Sequence, residues 1–439
     1  MANTIAELVF IPATGLGHIM STVEVAKLLV DRDQRLSVTV LVIKPLSGFV
    51  SGSEITNYVE SLTNNATERI RFVELPQDET LLRKLDPKSP MDFLKDYMNS
   101  HCKYVRDVVG EMTKRPGSGR IAAFVVDVFC TGMMDVADEF GVPTYIFFTS
   151  NAAFLGFNLC IQIICESGNK GVAEFSDPEA DWKTHAIESF LSLDNDFPTV
   201  YPVGPVLNLD SIAVNPQDSD LSGWLDGQQP SSVVFLCFGS AGSFDEVQVK
   251  EIAHAIERSG HPFVWSLRRP SQPEQGINLG DYEDPGVVLP EGFLERTLGV
   301  GKVIGWAPQA ALLAHPAVGG FVSHCGWNSV LESLWFGVAL ATWPMYAEQQ
   351  LNAFELVVEL GLAVEIKLDY KKDVFNPVDD TIIVTAEEIE RGIRQVMEDF
   401  EVRGKVKEMS RKSRAAVAKD GSSFTSIGHL IHEFLSNIS

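Results

Sequence analysis

The chain has 439 residues, 45% hydrophobic and 21% charged, with a formal net charge of −24 at pH 7. That length exceeds one ordinary core and implies two large domains, and the composition is that of a globular protein. The acidic excess speaks against nucleic acid and anionic membrane surfaces as partners, but not against an anionic small ligand, which backbone N–H groups can hold without a basic patch. No run approaches the roughly 18 apolar residues that span a bilayer. The N-terminus (MANTIAELVFIP) leads straight into a strand pattern, without a basic leader. The six cysteines form no CxxC pair, and Cys130, Cys160 and Cys237 sit in apolar runs, so a reducing cytoplasm is the expected setting.

In chain order, strand-like apolar runs alternate with helix-period segments, the pattern of parallel sheets covered on both faces. Leu8–Ile11 reads as a first strand, followed by the turn Ala13-Thr14-Gly15-Leu16-Gly17 and a helix. Ser21-Thr22-Val23-Glu24 has capping-box form, which places the helix start within a few residues of His18. Ser37–Ile43 is a second strand, Ile121–Val126 a buried strand ending at Asp127, and Pro143–Phe148 another. Residues 208–230, rich in Asp, Ser, Gln, Gly and Pro, have linker composition. A second series holds Ser232–Phe238, Pro262–Leu267, Val303–Ile304, Gly320–Ser323 and Ala339–Trp343. Two such series predict two doubly wound α/β domains, residues 1–207 and 231–421. Thr385-Ala386-Glu387-Glu388 is a capping box opening a helix that runs past Met397. Asp420-Gly421-Ser422-Ser423 interrupts the pattern before a last amphipathic helix within 422–439.

The densest chemistry lies between Trp306 and Gln349. His324 to Glu332 spans a strand end, a glycine turn and the first helical turns. A helix N-terminus offers unpaired N–H groups and partial positive charge, worth about 0.3–1 kcal/mol per exposed anionic contact. Asn328 and Ser329 there suit an α-phosphate, and His324 a β-phosphate. Glu332, one turn on, can accept from both hydroxyls of a ribose. Trp306 offers a flat face for a base, worth about 1–3 kcal/mol, with the backbone of Ala307 and the amide of Gln309 at the base edge. Glu348 and Gln349 offer acceptors and donors to sugar hydroxyls, with Trp327 beside them. Singly these have ordinary explanations, a core Trp or an Asn-Ser helix cap. In this order and spacing they suit a nucleoside diphosphate sugar.

Two further turns follow strands. In Pro12 to His18, a His after a glycine turn sits where open α/β sheets bind ligands, and Gly17 brings backbone close to the same place. His18 can take a proton from an attacking hydroxyl if a carboxylate orients it, and Asp127 lies just past a buried strand. In Cys237 to Ser243, the small residues could bring Ser240 and Ser243 to a diphosphate; a plain strand-to-helix turn explains them as well. Gly15-Leu16-Gly17 begins a dinucleotide fingerprint, but its third glycine would fall at Met20, and Lys44-Pro45 ends the second strand without the ribose-binding acid. GxxxxGK[ST], HExxH and GxSxG motifs are absent. No Asp-x-Asp pair stands beside the 306–349 segment, so a metal-independent reaction is expected, with helix N-termini in the ion's place.

Trp306 to Gln349, 44 residues, resembles the signature box of the plant UDP-dependent glycosyltransferases of small molecules. The resemblance extends to IPATGLGH around His18, VVDVFC around Asp127, Tyr201-Pro202-Val203-Gly204-Pro205, the Ser240 turn and the C-terminal helices. It implies the GT-B fold, two facing Rossmann-like domains with UDP-sugar mostly in the second and acceptor mostly in the first. The last helix would cross back to the first domain. It also implies a single inverting displacement at the anomeric carbon, with His18 as base, Asp127 as its partner and UDP-glucose as co-substrate. Gln349 is associated with glucose in that family, where His is associated with galactose. The expected acceptor is a hydrophobic hydroxylated molecule, flavonoids and other phenolics first and terpenoids second; Phe129, Phe148 and Phe154 suit it. A monomer without a membrane anchor is expected, because the tail HEFLSNIS is short and polar.

The chain departs from that pattern in three places. Thr14 and Ala339 stand where relatives commonly have Pro. Between about Gly171 and Pro202 the chain is tens of residues shorter than the family pattern, which leaves the acceptor pocket unassigned. A UDP-sugar-binding protein with impaired or no transfer is therefore an alternative. An epimerase on the same fold is another, against which the VVDVFC context of Asp127 counts.

Overall fold

In the computed structural model, which describes residues 5–45, 52–64, 69–77, 90–115, 119–166, 198–209, 219–270, 280–370 and 382–438, the apolar runs form two separate parallel sheets. The first comprises β1 (Ala6–Ile11), β2 (Leu36–Val42), β3 (Ile70–Glu74), β4 (Arg120–Asp127) and β5 (Thr144–Phe147), in the order β3-β2-β1-β4-β5. The chain then gives β6 (Val233–Cys237), β7 (Phe263–Ser266), a short antiparallel ribbon of β8 (Arg268–Arg269) and β9 (Gly280–Asp281), β10 (Gly301–Ile304), β11 (Val318–Ser323), β12 (Ala339–Thr342) and β13 (Ala363–Glu365). The second sheet runs β10-β7-β6-β11-β12-β13. The expected strands all form, within a few residues of their predicted ends. Strands β3, β13 and the β8–β9 ribbon lie beyond those expectations; they are short or edge strands, where periodicity carries little signal.

The period of two along β1 builds the first core. Ala6, Leu8 and Phe10 enter one apolar cluster, and Val9 and Ile11 enter the cluster on the opposite face. A strand buried on both faces reads as a continuous apolar run, which is why ELVFI is legible. The second sheet is covered in the same manner, with Val233 to Leu236 fully buried. In each sheet the strand order reverses at one place, between β1 and β4 and between β6 and β11. The crevices at the carboxyl ends of those strands are where open α/β sheets bind ligands.

Two expectations need correction. The helix after β1 is Leu16–Arg32, with Gly15 at its N-cap, so Ser21 lies inside it and caps nothing. Glu24 instead pairs with Lys27 at 2.9 Å, and the Ser21 hydroxyl leaves the helix for Asn328 of the second half. Within the expected linker 208–230, Ser219–Asp226 is a helix whose Leu221 and Leu225 join the second core. The shortened segment after Gly171 falls mostly on residues 167–197, outside the described residues.

The Thr385 capping box forms, with Glu388 N–H to Thr385 and the Glu388 carboxylate back to Thr385 N–H, and opens helix Ala386–Glu398. Helix Phe400–Val417 then packs on the second half, with the Ser410 hydroxyl donating to Trp335 O at 2.7 Å. The last helix, Ser422–Ser436, returns to the first sheet. Its Ile427, Leu430, Ile431 and Phe434 join the cluster of Leu8 and Phe10, and Arg32 donates to Phe424 O. None of the described helices is long and apolar enough to cross a membrane.

Candidate active site

His18 stands in the first helical turn after β1. The Asp127 carboxylate closes β4 and caps the turn that follows it, accepting from Phe129 N–H at 3.0 Å. The second Asp127 oxygen lies 2.7 Å from His18 Nδ1, and the Thr149 hydroxyl lies 3.1 Å from the same nitrogen. Asp127 is buried, whereas the His18 side chain keeps 31% of its surface exposed. With Nδ1 engaged by acceptors, the neutral ring carries its proton there and leaves Nε2 as the basic atom. Burial pulls the His18 pKa down, but the charge and hydrogen bond of Asp127, with Glu348 beyond, outweigh it and leave the pKa above its ordinary value. The Phe129 ring stands edge-on to the imidazole at 5.7 Å, and Phe148 and Phe154 pack together at the same separation.

Across the cleft, β11 ends at Ser323 and His324 follows. A Cβ added at Gly239 or Gly326 would fall 2.5 Å from His324 Nε2, so glycine on both sides makes room for the ring. Burial drives the His324 pKa down to about 4 and keeps it neutral, and its Nδ1 has no hydrogen-bond partner among the described residues. Helix Trp327–Phe336 begins at Gly326 without a side-chain cap, which leaves its first N–H groups open for an anion. Gln309 Nε2 donates to Ser329 Oγ at 3.0 Å and to Glu332 Oε2 at 2.8 Å. Burial pushes Glu332 up to about 7, although that hydrogen bond works the other way.

Trp306 is 47% exposed, unusual for so large a ring, and the Arg268 guanidinium lies 5.0 Å from its centroid. Ala307 is buried beside it and accepts from Gln309 N–H at 2.8 Å. Ser240 is exposed on the turn after β6, and Ser243 is buried. Trp327 packs against the second core. Burial raises the pKa of Glu348. Gln349 is buried, and its Oε1 accepts from Met345 N–H at 3.0 Å and Tyr346 N–H at 3.1 Å, so its carbonyl serves the local turn.

The two halves meet through named bonds. Ser21 Oγ donates to Asn328 Oδ1 at 3.1 Å, and Asn328 Nδ2 donates to Gly17 O at 3.4 Å. Asn151 Nδ2 donates to Asn352 Oδ1 at 2.6 Å. The structure thus pairs His18 with Asp127 in the first half, brings Asn328 of the second half to Gly17 and Glu348 within electrostatic reach of His18, and groups Gln309, Ser329 and Glu332 together. Sequence reasoning misses Ser21, Thr149, Asn151, Arg268 and Asn352. Asn151 has a signal, a capping residue in the short turn that follows a strand; Ser21 is hidden because its spacing to Glu24 fits a cap. Among the described residues no group of three or more His, Cys, Asp or Glu is placed to hold a metal ion.

Known proteins resemble this chain over nearly its whole length. The family model described as UDP-glucoronosyl and UDP-glucosyl transferase matches residues 160–387. A UDP-glucose flavonoid 3-O-glucosyltransferase of Fragaria ananassa is 47% identical, with 98% of each chain covered. That alignment runs over 489 residues against the 439 of this chain, so the relative has tens of residues that this chain lacks. A UDP-glycosyltransferase of Stevia rebaudiana is 46% identical, with 99% of each covered. Among solved structures, a Siraitia grosvenorii transferase in complex with UDP superposes with TM-score 0.81 at 42% identity, over 98% of this chain and 100% of that one. A Medicago truncatula enzyme complexed with UDP-glucose gives 0.79 at 34%, with 99% of each covered. The chain belongs to the plant UDP-glycosyltransferases, and its two sheets are the two halves of their GT-B fold.

Proposed function

We propose that the protein transfers glucose from UDP-glucose to a hydroxyl of a hydrophobic small molecule, with inversion at the anomeric carbon. The observation that carries this reading is the 2.7 Å pairing of His18 with a buried Asp127 at the switch point of one sheet, facing the anion-ready helix of the other. His18 Nε2 takes the proton of the acceptor hydroxyl as its oxygen attacks. Asp127 holds the tautomer and stabilises the imidazolium that forms. The departing UDP keeps its phosphates on the N–H groups and side chains of His324, Asn328 and Ser329, with the Ser240 turn beside them. Charge develops there without a metal ion in this reading. Trp306, Ala307 and Gln309 hold the uracil, Glu332 the ribose, and Glu348, Gln349 and Trp327 the sugar. Because base and donor groups come from one chain, a monomer suffices.

The resemblance to a flavonoid glucosyltransferase and the ring surfaces of Phe129, Phe148 and Phe154 support phenolic acceptors, flavonoids first, with terpenoids second. Incubation of UDP-glucose with a mixed panel of phenolics and triterpenoids, read by mass spectrometry, tests the reading. A gain of one hexose on a panel member, lost in His18→Ala, is expected. Near-native transfer by His18→Ala with normal UDP-glucose binding would overturn the role of the base.

A second reading rests on the missing tens of residues: the chain binds UDP-sugar but positions no acceptor. It predicts tight UDP binding, or slow donor hydrolysis, with no hexose gained by any acceptor.

A further inference from the structure

We infer that Asn151 and Asn352 form a buried strut between the two halves that sets the spacing of His18 against the donor loop, so that both are positioning residues for transfer. The inference rests on the function proposed above. Asn151 directly precedes helix Ala152–Glu166 of the first half and is 5% exposed; Asn352 lies in helix Gln349–Phe354 of the second half and is fully buried. Asn151 Oδ1 accepts from Phe154 N–H at 2.6 Å, which caps the helix. Asn151 Nδ2 donates to Asn352 Oδ1 at 2.6 Å, and Asn352 Nδ2 donates to Cys325 O at 2.9 Å. One end of this relay is a backbone N–H, which only donates, and the other a carbonyl, which only accepts. The ends therefore fix both amides, and turning either one would oppose like groups out of reach of water.

The relay joins the two places where the chemistry sits. Thr149, two residues before Asn151, has its hydroxyl 3.1 Å from His18 Nδ1. Cys325 follows His324 directly and holds a φ of +62, a conformation that a non-glycine residue keeps only when its surroundings hold it. The bond from Asn352 to Cys325 O supplies such a hold. A misplacement of about 1 Å between base and donor costs on the order of a hundredfold in rate. A rigid link between the Thr149–Asn151 loop and the His324–Cys325 turn thus acts on kcat.

Asn151→Asp tests this directly, since Asp caps a helix as well as Asn does but sets an acceptor against Asn352 Oδ1. Asn151→Ser keeps a cap and is too short to reach, without the repulsion. In both, kcat is expected to fall by about tenfold to a hundredfold, while the Kd for UDP stays within about twofold of wild type. The urea midpoint falls as well, because each leaves a buried amide without its partner, and less in Asn151→Ser, which brings no repulsion. Adding Asn352→Ala to Asn151→Ser should cost less in kcat than the sum of the two single losses, because both cut the same relay, with the remainder reporting the freed Cys325 O. Unchanged kcat in both Asn151 variants would overturn the proposal. So would a kcat loss matched by equal losses in UDP binding and stability, which marks a merely structural role. Absence of transfer by the wild type, or full transfer by His18→Ala, strikes the underlying function instead, and both are read in the same assay.

Discussion

His18 and Asp127 are 109 positions apart in the chain and 2.7 Å apart in space, brought together because β1 and β4 are neighbours at the switch point of the first sheet. A general base, the role proposed above for His18, works unprotonated. Asp127 and Glu348 hold the His18 pKa above its ordinary 6.5 despite burial, so kcat/KM should fall with acidity through a limb whose midpoint lies above 6.5. In Asp127→Asn the main raising contributions are lost while burial remains, so the limb should move to lower pH. The new amide, with its oxygen kept on Phe129 N–H, would turn an NH2 toward Nδ1 and favour the wrong tautomer. The plateau rate should then drop by about 10²–10⁴-fold. A pH–rate profile of both proteins checks this, and an unmoved limb would assign the titration to another group.

Glu332 gives a prediction about binding. In the ligand-free site burial raises its pKa to about 7, while a hydrogen bond from the Gln309 amide works against that rise. Two ribose hydroxyls arriving as donors favour the carboxylate and lower that pKa. UDP-glucose binding should therefore release about half a proton at pH 7, more at slightly lower pH and none well above pH 8. Calorimetry in two buffers of different ionisation enthalpy measures the release. Glu332→Gln should abolish it, and a release that survives this substitution would place the proton elsewhere.

Trp306 presents 47% of its surface although a cation lies over one face, which leaves the indole plane available to a base. Removing a stacked ring costs about 1–3 kcal/mol. Trp306→Ala should weaken UDP-glucose binding by about tenfold to a hundredfold with kcat little changed at saturating donor, whereas Trp306→Phe should retain most of the affinity. Equal Kd values for all three proteins would remove the ring from the donor site.

Much of this is legible because parallel sheets buried on both faces leave continuous apolar runs, and glycine turns mark the strand ends that hold the site. His18, Asp127 and the 306–349 segment each follow a recognisable strand. What the sequence hides depends on tertiary contact. Ser21 has the spacing of a cap, yet the helix has already started at Leu16, and the hydroxyl finds Asn328, 307 positions away. Asn352 sits three residues beyond Gln349 with no local pattern to distinguish it; its meaning comes from Asn151 and Cys325, which no spacing rule joins. Leu221 and Leu225 lie in a polar stretch whose composition outweighs two apolar residues at helical spacing.

The last helix also carries a testable consequence, because it completes a core made by residues at the opposite end of the chain. Phe434 is 1% exposed, stands edge-on to Tyr145 at 4.9 Å, and shares a cluster with Leu8 and Phe10. Asn437 Nδ2 adds a bond to Ala122 O at 3.1 Å. Truncating a buried Phe to Ala typically costs about 3–5 kcal/mol through lost burial and the cavity left behind. In Phe434→Ala the first half should unfold at markedly lower urea, followed by fluorescence or far-ultraviolet dichroism. UDP-glucose affinity, with the proposed donor groups in the second half, should hold until that transition begins. Phe400→Ala is the matched control: the same residue type is 87% exposed at the start of the preceding helix, and its loss should change stability by no more than about 0.5 kcal/mol. Equal urea midpoints for the two variants would mean that the C-terminal helix contributes little to the first core, and that the fold of the first half is complete without it.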